Sequence, residues 1–241
     1  MSSATETPAG VVALAVDGLA GAVLAALSTV RDPELDEPIT TLGFVASCTV
    51  SEEGQARIRL RLPTYFCAPN FAFLMVADAH DAVTAVPGVA AVEVILDDHF
   101  ASDAINAGVA ARAGFVGSFD GEATDELDDL RATFLRKAVL AGTDLVCRPL
   151  AAAGHTPAEL AALTLGSVPP SPGLTRLRKR RTDLGLPADD AAALLIDPAT
   201  GERVAEASVP LHLRKARATR TGIDANTSIC SGMLKARYSE G

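Results

Sequence analysis

Cys67 lies in the run Pro63-Thr64-Tyr65-Phe66-Cys67-Ala68-Pro69, where an alternating apolar pattern ends and a helical one begins. A thiol at such a junction is close to the first N–H groups of the helix, whose partial positive charge favours the thiolate. Thiolate is the form that binds soft metals or attacks electrophiles. Strand-to-helix junctions are also where α/β proteins place ligands. An inert buried thiol is the competing reading. The other cysteines, Cys48, Cys147 and Cys230, are far apart and form no CxxC pair. Cys48 falls on the apolar side of an alternating run and Cys147 beside Val146 in an amphipathic segment, so both read as packed. Cys230 stands in Ser-Ile-Cys-Ser-Gly, a small, flexible setting that could fold back to bring a second sulfur ligand to a metal. His99 follows a third apolar run, a strand end from which an imidazole could serve as metal ligand or as base toward Cys67. An ordinary surface histidine is the alternative there.

The elements that must position these groups follow from periodicity. Residues 11–29 are rich in Ala and Leu and read as a helix that stops at Asp32-Pro33, because proline disfavours helix at the residue before it. Phe44 to Val50 alternates, with Phe44, Ala46, Cys48 and Val50 on one side. Ser51-Glu52-Glu53-Gly54 is turn chemistry. Ala56 to Leu62 then alternates strictly, with Ile58, Leu60 and Leu62 inward and Arg57, Arg59 and Arg61 outward. The two runs make a β-hairpin. A helix over 70–86, ended by Pro87-Gly88, a strand over 90–96 and a helix over 101–113 capped by Gly114 complete an α-β-β-α-β-α order. This is a small α/β (α+β-like) sandwich over residues 12–116, with helices on one face of a three-stranded sheet.

Beyond the Gly- and acid-rich linker at 117–124, residues 121–241 read as a mainly helical extension that could dock a partner protein. Residues 125–150 form a long amphipathic helix, and Thr156-Pro157 caps and opens a short one. Residues 166–173 form a loop. Residues 194–196 and 203–205 could pair around the turn Asp197 to Gly201. Residues 227–232 are mostly small and polar. The basic run Arg176 to Arg181 has no stacking aromatics beside it and belongs to a chain of net charge −9, so nucleic acid is not expected as a partner. It reads as a solvated helix face or as a surface for an acidic protein. Residues 1–120 carry 15 acids and 5 bases, whereas residues 121–241 are nearly neutral, which suggests two modules. With eight Phe, two Tyr and no Trp, the core must rest on Ala, Val and Leu. No apolar run reaches about 18 residues, so no membrane span is expected. Residues 1–10 lack a basic leader, so free thiols in a reducing, cytoplasmic compartment are expected.

Five short motifs occur in one order: Asp32-Pro33-Glu34, Thr40 to Val45, Leu62-Pro63-Thr64 leading to Cys67-Ala68-Pro69, Val86-Pro87-Gly88-Val89, and Val92-Glu93-Val94. The series resembles the PaaD/SufT-like family of metal–sulfur cluster assembly factors over about residues 15–115. Thr41, Ala68 and the pair His99-Phe100 depart from that family's pattern and mark a specialised branch. The resemblance implies that Cys67 is the functional thiol and that Asp32 and Glu34 are acids shaping its site. It implies a non-enzymatic assembly or maturation factor, a carrier or adaptor that holds an iron–sulfur cluster or iron transiently. A client metalloenzyme, a cluster scaffold protein or both would be its partners, and an iron-dependent oxygenase is the expected client. Clusters are usually held by four thiolates, so binding would be shared with a second copy, a scaffold or Cys230. A thiol enzyme using Cys67 with His99, and a metal-free adaptor, are the alternative functions.

Overall fold

Alternation sets the sheet. The strands β1 (Val45–Val50), β2 (Gln55–Leu60) and β3 (Ala91–Leu96) lie in the order β1-β2-β3, the first pair antiparallel and the second parallel. The computed structural model describes residues 9–119, 121, 123 and 125–238, and the side chains from residue 18 onward. The expected register holds: Ala56, Ile58, Leu60 and Leu62 are buried, while Arg57 and Arg59 point outward to Glu93 and Asp97 across the sheet. A one-residue slip would have buried the arginines instead. Gly54, in the hairpin turn, has φ +77°, and a Cβ there would meet the Gly88 carbonyl at 2.4 Å. Only glycine fits that approach.

Two compact units divide the chain: residues 1–127 with 227–241, and residues 128–226. In the first, α1 (Ala9–Leu27), α2 (Pro69–Thr84) and α3 (Ser102–Ala110) cover the apolar face of the sheet. Val23, Leu27, Val76, Val83 and Ile105 pack with Ile58, Leu60 and Leu96. The expected helix over 101–113 ends earlier. Arg112 and Gly114 both have positive φ, and Gly114 opens a short helix, α4 (Gly114–Ser118), instead of closing the previous one. The Glu126 carboxylate accepts the Phe115 and Val116 N–H groups at 2.9 and 3.3 Å, which satisfies the start of α4. Residues 120, 122 and 124 of the expected linker lie outside the described residues.

The second unit is mainly helical. It contains α5 (Asp128–Ala152), α6 (Pro157–Ala162), α7 (Pro172–Asp183) and the first part of α8 (Val209–Tyr238). Thr156 and Glu159 form a capping box ahead of α6, as the Thr-Pro signal predicts. Helices α5 and α7 pack closely at Gly142, where Leu177 would lie 3.3 Å from an added Cβ. The expected hairpin reduces to a single antiparallel bridge, Ile196 to Arg203, around the Asp197 turn.

Two expectations fail in this region. Arg180 and Arg181 are buried, not part of a solvated or docking face. The Arg181 guanidinium donates to the carbonyls of Ala193 and Leu194, and Arg178 donates to the Ala188 carbonyl and to Asp190. These bonds tie backbone that belongs to no strand, where Ala193 forms an isolated bridge with Thr164. Burial pushes the Arg181 guanidinium down to about 10, so it remains a cation. The small, polar tail is helix, and from Thr227 onward α8 belongs to the first unit instead of to the region preceding it. Leu234 is buried in the first core, and Arg237 donates to the Leu62 and Asp98 carbonyls. Such tertiary anchoring outweighs the poor helix propensity of Gly, Ser and Thr. Among the described residues no helix is long and apolar enough to cross a membrane.

Candidate functional site

Beyond β2 the chain stays pinned for two residues, with the Arg61 N–H donating to the Phe44 carbonyl and Leu62 buried. It then turns outward through Tyr65 and Phe66 to Cys67, immediately before Ala68, the N-cap of α2. Pro69 at the first helical position has no N–H, and the Phe71 N–H is accepted by the Asn70 side chain at 2.9 Å. Cys67 is half-buried, and its sulfur lies 3.3 Å from the Thr64 hydroxyl.

His99 is behind Cys67. It is 3% exposed, and its Nε2 lies 2.7 Å from the Cys67 carbonyl, while its Nδ1 accepts the Ala101 N–H at 3.2 Å. A backbone N–H can only donate, so Nδ1 is the acceptor and Nε2–H donates to the carbonyl: a neutral ring. Burial holds its pKa below the ordinary histidine value, as does the positive Arg237, while the bond to Cys67 acts against them. Both ring nitrogens are therefore engaged by backbone, and neither is left for a metal or for the Cys67 thiol. The imidazole fixes the loop that presents the cysteine.

Asp32 is buried, and one carboxylate oxygen accepts the N–H groups of Glu34 and Leu35, each at 2.8 Å. Burial pushes its pKa up, the two backbone bonds oppose that, and the Glu34 charge adds to it. Its carboxylate thus holds the 32–36 turn as well as adding negative charge. Helix α8 brings Cys230 to this region, half-buried against the same core as Cys67. Burial raises the Cys230 pKa first, and the negative charges of Asp32, Cys67 and Glu34 raise it further. Of the five expected residues, Cys230 is therefore within electrostatic reach of three others, Cys67, Asp32 and Glu34. The fifth, His99, touches the site only through backbone. Among the described residues no three His, Cys, Asp or Glu side chains are grouped closely enough to hold a metal ion. The donors present are two thiols backed by acids, which fit part of a soft-metal site and not the whole.

Cys48 is half-buried instead of fully packed, because β1 is an edge strand with a register irregularity between Val45 and Ser47. Cys147 is buried, as expected, and burial pushes its thiol up to about 12. Sequence reasoning passed over two features. Cys230, Leu234 and Tyr238 recur every fourth residue, a helical signal hidden by small polar neighbours. Tyr65 and Phe66 flank Cys67 while Phe100 follows His99, so a chain poor in aromatics places three of them around one site.

Residues 21–94 match the family described as iron-sulfur cluster assembly protein. That stretch holds β1, β2, α2 and the first four residues of β3, with Asp32, Glu34 and Cys67, and stops short of His99, Cys230 and the second unit. An uncharacterized protein of Methanocaldococcus jannaschii is 33% identical over 84 residues, which cover 35% of this chain and 86% of that protein. A crystal structure of a domain of unknown function, DUF59, from Bacillus anthracis aligns at 25% identity with a TM-score of 0.33, covering 43% of this chain and 98% of that one.

Proposed function

Because the chain belongs, through residues 21–94, to the iron–sulfur cluster assembly protein family, we propose that it carries an iron–sulfur cluster, or iron, to a client metalloenzyme. The observation that carries this reading is Cys67, held half-exposed between β2 and α2, with the Cys230 thiol in electrostatic reach of it and of Asp32 and Glu34. The cluster is cargo. Two thiols supply half of the usual four thiolates, and a second copy, a scaffold protein or the client supplies the rest. A partly held cargo can leave, which suits transfer better than storage.

The acids give the site its sign. With no cation present, Asp32 and Glu34 disfavour a negative charge on Cys230; a bound iron centre would offset that repulsion and favour its thiolate. Thr64 orients the Cys67 sulfur, and His99 anchors its backbone. An iron-dependent oxygenase is the client class we favour, from the family resemblance, with the mainly helical region after residue 127 as the client-specific part. A reducing cytoplasm would keep all four thiols free. The thiol-enzyme alternative lacks support at the base, since the His99 nitrogens are spent on backbone.

Anaerobic reconstitution with ferrous iron and sulfide tests the reading. Wild type and Cys147→Ala should retain both after desalting, and Cys67→Ala should retain little of either. Full retention by Cys67→Ala would leave a metal-free adaptor as the better account.

A further inference from the structure

Tyr65, Phe66 and Phe100 form an exposed aromatic cluster at the rim of the thiol site. Phe66 is 77% exposed, and its ring lies 5.0 Å from Tyr65 and 6.2 Å from Phe100, centroid to centroid. The Phe100 N–H donates to the Tyr65 carbonyl at 3.2 Å, and the Phe100 ring leans on His99 at 4.9 Å, so the cluster is built onto the residue that anchors Cys67. Contiguous exposed apolar surface of this kind marks an interaction site. Elsewhere in this unit Arg61 and Arg237 lie over the Tyr238 ring at 4.8 and 5.3 Å. Among the described residues no lysine or arginine covers Tyr65, Phe66 or Phe100.

The charge of the unit selects the occupant. Residues 1–127 and 227–241 carry 19 acids and 7 bases, so a second copy would bring the same strong negative charge against this face. A basic partner meets attraction twice, from the acidic unit and from ring faces that bind cations. We infer that the Tyr65–Phe66–Phe100 cluster docks a basic, aliphatic-rich segment of the protein that exchanges cargo with Cys67. The partner's role rests on the carrier reading; the docking itself does not.

A dye-labelled synthetic peptide of leucine and lysine, titrated against the full chain by fluorescence anisotropy, tests this. Binding should be saturable, weaker at high salt and about tenfold or more weaker for Phe66→Ser/Phe100→Ser. A leucine–glutamate peptide of the same length should not bind. Both side chains are half or more exposed, so the double variant should keep its circular dichroism and its reconstituted iron and sulfide. Equal affinity of wild type and double variant, or equal binding of the two peptides, would overturn the docking surface. So would a wild-type dimer in sedimentation that the double variant disperses, which would make a second copy the occupant. Those outcomes leave cargo retention untouched, whereas cargo retained by Cys67→Ala would overturn the carrier reading and leave peptide binding standing.

Discussion

The two units treat the same residue types in opposite ways. In the first, Cys67 and Cys230 are half-exposed and, among the described residues, the buried ionisable groups are Asp32 and a neutral His99. In the second, Cys147 is 2% exposed with its thiol pushed up to about 12, and the buried charges are Arg180, Arg181 and Asp144. A thiol that burial keeps protonated is a packing group, whereas one at a solvent-facing loop beside a helix start is placed where a thiolate can bind metal. Buried charge likewise serves different ends. Arg181 satisfies carbonyls of irregular backbone, and Asp144 pairs with Arg220, so the second unit's charges hold its shape. The first unit instead concentrates negative charge beside two sulfurs.

Both tyrosines, Tyr65 and Tyr238, belong to the first unit and the chain has no tryptophan, so tyrosine emission reports that unit alone while circular dichroism reports both. This separation allows the comparison to be broken. The largest effect should come from Arg181→Met, which leaves the buried Leu194 carbonyl and the part-buried Ala193 carbonyl without their donor, at a cost of about 3 kcal/mol. The circular-dichroism transition should move to lower denaturant while the tyrosine transition stays in place. A common shift would show one cooperative core. Leu234→Ala should do the reverse, costing about 2–3 kcal/mol in the tyrosine transition, because it opens a cavity in the first core where α8 closes it. No change there would mean that the end of α8 is dispensable to the first unit.

Cys147→Ala should cost about 1 kcal/mol, a small cavity, with cargo retention unchanged. Cys48→Ala should cost less, because Cys48 is half-buried. The smallest effect is pH-dependent. The folded chain keeps His99 neutral at pH values where the unfolded chain, with an ordinary histidine pKa of 6.5, takes up a proton. Its contribution is therefore complete above about pH 6.5 and is lost as pH falls. The tyrosine-detected midpoint of wild type should drop more between pH 7.5 and pH 5 than that of His99→Gln. Asp32, whose folded pKa is raised, works in the opposite direction but is common to both proteins. Parallel drops would contradict the neutral, backbone-bonded ring.

The hairpin, α2 and β3 were legible because Ile58-Leu60-Leu62 and Val92-Val94-Leu96 alternate cleanly and Pro and Gly mark their ends. Cys67, at a junction that sequence could place, was legible for the same reason. What was hidden depends on contacts distant in sequence. His99 looked like a surface residue, but the turn of 97–101 folds it under Cys67, 32 residues away. The 227–232 segment looked loose, since propensity says nothing about Leu234 finding the first core. The arginine run looked solvated because charge predicts exposure unless carbonyls without partners are waiting inside, and no pattern in the sequence announces those.

Cargo transfer tests the central claim most directly. Wild type reconstituted anaerobically should pass its cluster to an apo acceptor with a four-cysteine site, read as the acceptor's visible absorption. Cys147→Ala should match it, and Cys67→Ala should lose at least nine-tenths of the transfer at equal protein concentration. Transfer by Cys67→Ala at the wild-type rate would contradict the assignment of Cys67 as the carrier thiol.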